Sequence, residues 1–285
     1  MYKTLSPGAI GVTVGGLHEG LVAAKIGGFD GLEVSAGALA DEVELHGADK
    51  VKRLFAEHGI RPAAFPLPTD WRNGEQAWER DLALLPRLAR AAAAVGITRT
   101  FTWILPGSND RPADLNRAFH VGRFEPIARI LEDQGVSLGL EFIGPKTLRD
   151  SFAHPFIHTM DDMLSMARQI GPNVGVLLDC WHWYTSVGTL EDIRRLRPRD
   201  VVYVHVNDAP AGVAVDEQVD NVRDLPGATG VIDITGFLRA LERIGYDGPV
   251  TPEPFKKDLA ALPNDEARLR AVGASMDKIF RGAGI

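Results

Sequence analysis

Short apolar segments alternate with longer amphipathic segments along the whole chain. The apolar segments are AIGVT (9–13), GLEVS (31–35), RPAAF (61–65), TRTFTWI (98–104), SLGLEFI (137–143), VGVLLD (174–179), VVYVHV (201–206) and PVTPEPF (249–255). Because most of them are apolar throughout rather than at every second residue, they indicate strands that are buried on both faces, as in a parallel sheet. The segments between them are typical of helices: in DKVKRLFAEHG, Val51, Leu54 and Phe55 share one face, and Gly59 ends the helix.

Eight such strand–helix units predict an α/β protein, a (β/α)₈ barrel with its active site at the C-terminal ends of the strands. No low-complexity stretch or linker divides the sequence, so we expect one barrel domain over residues 1–285. The alternative is a doubly wound open sheet, but no G-x-G-x-x-G follows the first predicted strand.

Four ionisable residues interrupt the last four apolar segments. They are Glu141, Asp179, His205 and Glu253, one in each predicted strand from the fifth to the eighth. A buried charge is costly unless it is paired or binds a metal, and neighbouring strands lie about 4.8 Å apart. A single acid at a strand end is more often solvated or caps a loop, and we expect that role for Asp208. Four ionisable residues on consecutive strands, however, predict that their side chains converge on one point at the barrel mouth.

Three carboxylates and one imidazole suit a hard or borderline divalent ion. We expect one such ion, with Mn²⁺ as the first candidate and Mg²⁺, Co²⁺ and Zn²⁺ as alternatives. No thiolate belongs to the set, which argues against a structural zinc site. Cys180, the one cysteine of the chain, is predicted to be an inert packing residue.

At these residues the sequence resembles the xylose isomerase-like barrel superfamily, which includes ketose 3-epimerases, hydroxypyruvate isomerase and inosose dehydratase. The resemblance spans the chain and is strongest in LGLEFIG, LLDCWHWY, YVHVNDAP and TPEPF, and in the region from RDLPGATG to GYDGPV. It implies that Glu141, Asp179, His205 and Glu253 hold the metal. It also implies that His182 lies beside metal and substrate, and that Arg223 binds substrate oxygens.

Two further residues are candidates for substrate contact. Trp71, Trp103, Trp181 and Trp183 follow the third, fourth and sixth strands, where each could stack on a sugar-like ring or equally be a core or interface aromatic; Trp103 is the one we expect to bind substrate. Lys146 lies in EFIGPKTLRD, where ketose 3-epimerases carry a stretch resembling EPLNRFE with a second acidic residue. This departure argues against a free-ketohexose epimerase. Lys146 either meets an anionic or keto group of the substrate or is a solvated loop lysine.

The resemblance implies a metal-dependent isomerase or epimerase acting on a sugar or sugar derivative through a metal-stabilised enediolate. Glu141 and Glu253 would be the catalytic pair, one as base and the other as acid. Loss of a β-hydroxyl after the same first step would instead make the protein a dehydratase of an inosose or 3-keto sugar. A nuclease of the same superfamily would need an additional D-x-H, which AGVAVDEQVDNVRD lacks. A barrel kept as a binding protein would have an incomplete metal set.

The net charge of the chain and its lack of long apolar runs limit the classes of partner that we expect. A net charge of −7 disfavours nucleic acid, and no apolar run is long enough for a membrane helix. The N-terminal residues show no secretory pattern, and a single cysteine fits a reducing compartment, so we expect a cytoplasmic protein. The expected partner is a small sugar or keto-polyol. A homo-oligomer, either a dimer or a tetramer, is compatible with these features.

Overall fold

Eight parallel strands form a closed barrel in the computed structural model, which describes residues 1–285. Each strand pairs with the strands before and after it in sequence, and the last pairs with the first. The strands are β1 Tyr2–Leu5, β2 Gly31–Glu33, β3 Arg61–Pro66, β4 Arg99–Ile104, β5 Ser137–Phe142, β6 Val174–Asp179, β7 Val201–Val206 and β8 Pro249–Pro252. The predicted barrel is confirmed.

Helices surround the barrel and bury its outer face. They are α1 Leu17–Ile26, α2 Ala36–His46, α3 Ala48–His58, α4 Glu75–Ala94, α5 Ala113–Glu132, α6 Lys146–Arg149, α7 Met160–Ile170, α8 Cys180–Thr185, α9 Leu190–Arg194, α10 Ile234–Arg243 and α11 Asp265–Ala283. Short 3₁₀ helices at Gly8–Ile10, Pro198–Asp200, Val215–Glu217 and Lys257–Ala261 lie between them. None of the helices combines the length and apolar character needed to cross a bilayer.

The hydrophobic core has two parts. The larger lies between strands and helices, while a small cluster of Ala64, Leu177 and Tyr203, with Phe101 against it, fills the barrel interior. Every residue of β6, β7 and β8 is buried. This burial on both faces explains why these strands are so apolar in sequence.

The first predicted strand is wrong. Residues 9–13 do not form a strand: Gly8–Ile10 is a 3₁₀ turn, and Gly11 follows it with φ of 70°, a left-handed conformation that suits glycine. The strand that completes the barrel is β1, where Tyr2 and Lys3 pair with Pro249 and Val250 of β8. Its sequence, YKTL, is short and half polar, so it carries little of the hydrophobic pattern.

Other boundaries also differ from the prediction. The helix α2, capped by the Ser35 side chain, precedes the predicted α3, and two short segments, Gly107–Ser108 and His154–Pro155, pair antiparallel outside the barrel. Strand β8 ends at Pro252, so Glu253 follows the strand rather than lying in it. Thr159 caps α7, since its side chain accepts a hydrogen bond from the Asp162 N–H.

The last helix packs against the first where the barrel closes. Gly273 of α11 lies so close to Gly27, at the end of α1, that a Cβ atom at position 273 would overlap the carbonyl oxygen of Gly27. The Nζ of Lys3 in β1 also pairs with Asp277 of α11 at 2.6 Å. The two ends of the chain are therefore joined through both strands and helices.

We expect Gly273→Ala to destabilise the protein by about 1–3 kcal/mol or more, because the methyl group forces α1 and α11 apart. Gly122, also within a helix, is the matched control: it is exposed, and a Cβ there meets no atom within 4 Å. Gly122→Ala should leave stability unchanged or raise it by up to about 1 kcal/mol. Urea unfolding measures both variants, and equal stability of the two would contradict the close packing.

Candidate metal centre and its cavity

The four predicted acidic and imidazole side chains meet at the C-terminal mouth of the barrel. Glu141 lies in β5, Asp179 ends β6, His205 lies in β7 and Glu253 follows β8. Asp179 and His205 are direct neighbours in the β6–β7 register. One potential ligand atom from each residue lies within 4.8 Å of those of the other three. The convergence expected from consecutive strands is therefore present.

Backbone and amide groups hold two of the carboxylates in place. Asp179 is the N-cap of α8 and accepts the Trp181 N–H at 2.6 Å. The Asn207 side-chain amide donates to both oxygens of Asp179, at 3.2 and 3.1 Å, while its carbonyl oxygen accepts the Glu253 N–H at 2.9 Å. Asn207 thus fixes the end of β6 relative to the residue that follows β8.

The neighbouring Asp208 has the capping role predicted for it. Its carboxylate accepts backbone N–H groups from Ala209, Thr229, Gly230 and Ile232 at 2.8 to 3.1 Å. The loop that leads from β7 to α10 is therefore tied to the end of β7, and Asp208 is not among the residues that could hold a metal.

The His205 ring is held from inside the barrel. Tyr203 and Phe101 meet it edge-on, with ring centroids 5.5 and 5.6 Å away. The Tyr203 hydroxyl donates to Glu33 at 3.1 Å and lies 2.6 Å from the Thr251 hydroxyl. Burial raises the pKa of the Glu33 carboxyl to about 7. This network fixes the imidazole from below and leaves its Nδ1 directed at the carboxylates.

The donor set fits a divalent cation. The Nδ1 of His205 lies 3.4 Å from Glu253, 3.5 Å from Glu141 and 4.0 Å from Asp179. Glu141 Oε1 and His205 Nδ1 are buried and have no hydrogen-bond partner. Burial, together with the charge of Glu253, raises the pKa of Glu141 to about 7. Burial alone would lower the pKa of His205, but the charges of Glu253 and Glu141 raise it. The cluster is short of positive charge, which a divalent ion would supply.

Arg223 supplies the one positive charge next to this cluster. Its guanidinium donates to Asp179 at 2.9 Å, to Glu253 at 3.1 Å and to Asp220 at 3.1 Å. It lies against the rings of Trp181 and Phe255, 5.0 Å from each centroid. Although burial would lower the pKa of Arg223, the Asp179 and Glu253 carboxylates raise it.

His182 lies in α8 on the cavity side of the cluster. Its Nδ1 accepts the Gly144 N–H at 3.2 Å, and the Arg223 guanidinium lies 3.1 Å from its Nε2. Burial and the charge of Arg223 lower the pKa of His182 to about 3, so the ring is neutral at physiological pH. A neutral imidazole next to the carboxylates can contact substrate oxygens without adding charge.

A cavity of about 400 Å³ opens from the cluster. Its polar wall contains Glu141, His182, Asp220, Arg223 and Glu253, and its apolar wall contains Trp103, Leu105, Ile143, Leu148 and Phe255. A cavity of this size and mixed polarity suits a small ring compound.

The structure brings most of the predicted site residues together. Trp103 lines the cavity and is 44% exposed, whereas Trp71, Trp181 and Trp183 are buried in the core. Lys146 is not brought to the cavity, because its ammonium pairs with Asp216 at 3.1 Å. Cys180 is fully buried, as a packing residue should be.

Sequence reasoning missed two polar residues of the cavity wall. Asp220 and Asn221 come just before Arg223 in the loop after β7. The acid three residues before Arg223 is the only signal that could have indicated them, since a loop has no periodic pattern.

Comparison with known proteins gives relatives along the full length. The chain is 24% identical over 263 residues to an inosose isomerase of Halalkalibacterium halodurans, covering 89% of this chain and 88% of that protein. It is 26% identical to a ketose 3-epimerase of Arthrobacter globiformis, over 74% of this chain and 69% of that one. It is also 26% identical to a 3-dehydroshikimate dehydratase of Pseudomonas aeruginosa, over 87% of this chain but 38% of that protein.

Solved structures share the fold. A xylose isomerase domain protein from Alicyclobacillus acidocaldarius superposes with a TM-score of 0.85 at 31% identity, covering 99% of both chains. The IOLI protein, solved with a bound zinc atom, superposes with a TM-score of 0.77 at 19% identity, over 98% of both chains. Residues 21–278 match the family described as "Xylose isomerase-like TIM barrel". The resemblance seen in the sequence is confirmed: the chain belongs to the xylose isomerase-like TIM barrel family.

Proposed function

We propose that this protein is a divalent-metal-dependent isomerase or epimerase of a neutral cyclic keto-polyol, of which inososes are the first candidates. The observation that carries the proposal is the pair of glutamates, Glu141 and Glu253, which both belong to the ligand cluster and both line the cavity. The full-length similarity to an inosose isomerase supports it.

Glu141, Asp179, His205 and Glu253 are the residues that would hold the metal. Mn²⁺ is the first candidate because three of the four ligands are carboxylates, and the zinc in the structurally similar IOLI protein makes Zn²⁺ the second. When bound, a divalent ion supplies Lewis-acid polarisation of a carbonyl and stabilises the negative charge that develops next to it.

The two glutamates are placed for proton transfer. Glu141 in β5 and Glu253 after β8 reach the centre from strands that are separated by β6 and β7. A substrate carbon held in the cavity can therefore lose a proton to one carboxylate and regain a proton from the other. Return to the opposite face of the same carbon gives epimerisation, and return to the neighbouring carbon moves the carbonyl group. His182 and Arg223, on the same wall, orient substrate oxygens.

A dehydratase is the second candidate, because 3-dehydroshikimate dehydratases are among the relatives. The charges of the cavity favour the isomerase. Apart from the neutral His182, Arg223 is the only basic side chain on the wall, and three carboxylates already accept its hydrogen bonds. The carboxylate of 3-dehydroshikimate would find no free cation there and would meet the negative charge of Asp220. An inosose is neutral and avoids this repulsion.

Metal binding can be tested without any substrate. After treatment with EDTA, adding Mn²⁺ or Zn²⁺ should raise the thermal midpoint, since a ligand at a hundred times its Kd stabilises by about 2.7 kcal/mol. Asp179→Asn should lose this metal-induced shift, because it removes a ligand charge from the centre of the cluster. Glu217→Gln is the control, because Glu217 is an exposed acid outside the cluster. A full shift in Asp179→Asn would show that the ion binds elsewhere.

The reaction can be followed by NMR in D₂O with Mn²⁺-loaded protein and a panel of inososes. We expect deuterium at the carbon next to the carbonyl together with interconversion of the inososes. Glu141→Gln and Glu253→Gln should each slow the exchange by about 10²–10⁴-fold, the usual contribution of a positioned acid or base. Glu217→Gln should retain the wild-type rate.

The same experiment with 3-dehydroshikimate separates the two candidates. A dehydrated product from that substrate, without exchange into any inosose, would support the dehydratase and rule out the isomerase. Metal-dependent exchange that survives in Glu141→Gln would show that the proton takes another route.

A further inference from the structure

A second cavity of about 260 Å³ lies beside the one at the metal centre. We call it the side cavity. Its wall includes Trp71, Arg72, Leu105, Arg111, Asn116 and His120. Leu105 lines both cavities, and the two are therefore adjacent. None of the proposed proton-transfer or metal-binding residues belongs to the side cavity.

Arg72 brings to this wall a positive charge that has no ion-pair partner, although the Asp70 carboxylate acts on it from a greater distance. Its guanidinium lies between two indoles, 4.0 Å from the Trp71 ring centroid and 3.8 Å from that of Trp103. It donates to the Trp103 carbonyl oxygen and, at 3.5 Å, to the Thr102 hydroxyl, while its Nε is buried without a partner. No carboxylate forms an ion pair with Arg72, and burial lowers its pKa to about 10. A partly desolvated cation of this kind favours an anionic partner.

Arg111, an exposed residue, adds a second positive charge to the wall. Its guanidinium packs on the Phe119 ring at 4.0 Å and forms no ion pair. The one carboxylate on the wall, Asp110, is exposed and pairs with neither arginine. By contrast, Arg123 lies 5.3 Å from the same Phe119 ring but is neutralised by Glu75 at 2.8 Å. Two of the three aromatic-stacked arginines in this region thus have no ion-pair partner, and both line the side cavity.

Buried polar groups complete the wall. The His120 Nδ1 donates to the Asn116 carbonyl oxygen at 2.7 Å. Burial, together with the smaller effect of the Arg111 and Arg72 charges, lowers the pKa of His120 to about 4. The neutral ring adds no charge of its own. Asn116 is 4% exposed and also lines the cavity.

We propose that the side cavity binds an oxyanion, either a carboxylate or a phosphate group, between Arg72 and Arg111. The group can come from two sources. It can be a substituent of a molecule whose polyol part lies at the metal centre, in which case the substrate of the proposed reaction is not neutral but carries its charge in the side cavity, away from Asp220, or it can be a free anion. The binding of the oxyanion itself does not depend on catalysis.

The test uses inorganic sulfate as the probe and Mn²⁺-loaded protein, with the fluorescence of Trp71 and Trp103 and isothermal calorimetry as readouts. We expect saturable binding that weakens about tenfold in Arg111→Gln and in Arg72→Gln, the loss expected when a charged hydrogen bond is removed. Arg123→Gln is the matched control and should bind sulfate as the wild type does. Thermal midpoints of all three variants establish that they fold.

Two further titrations identify the source of the group. With inositol phosphate as the probe, Mn²⁺ should strengthen binding if the polyol part occupies the metal centre, and it should have no effect if the site takes a free anion. Unphosphorylated inositol is the control for the polyol part alone. Absence of saturable sulfate binding, or binding unchanged in both Arg72→Gln and Arg111→Gln, would overturn the proposal. Neither result would affect the metal-dependent exchange expected at the other cavity.

Discussion

The mouth of this barrel is organised around the burial of three carboxylates and an imidazole in one small space. Removing charges from water costs several kcal/mol each unless hydrogen bonds and opposite charges replace the water. The chain provides these partners from several directions: the α8 N–H at Trp181, the Asn207 amide and the Arg223 guanidinium all donate to Asp179. Glu141 Oε1 and His205 Nδ1, by contrast, are buried without a hydrogen-bond partner. A cation bound between them would complete the arrangement.

Arg223 connects that cluster to the shape of the cavity. It is carried by the loop after β7, which Asp208 holds through the N–H groups of Thr229, Gly230 and Ile232. The same loop places Asp220 on the cavity wall. Because Arg223 also bonds to two of the candidate metal ligands, the loop is anchored at a second point. The position of the substrate wall and the arrangement of the ligands are therefore not independent of each other.

The sequence predicted the buried strands and the residues of the candidate metal centre better than the loops. Strands β6 and β7 were predicted to the residue, because every position is buried and therefore apolar, and Asp179 and His205 stand out against that background. β1 was missed because its burial comes from Pro249 and Gly31, which lie beside it only in the folded barrel. Positions such as Arg72 and Asp220 depend on the course of loops, which no local pattern encodes.

The pairing of the first strand with the last has a consequence for the order in which the barrel can be completed. A ribosome releases β1 long before β8 and α11, so one edge of β1 stays without its strand, and Lys3 without Asp277, until those two elements have emerged. An open strand edge is a template for pairing with another chain. The nascent protein thus carries this exposed edge until β8 and α11 have been made, and their docking removes it.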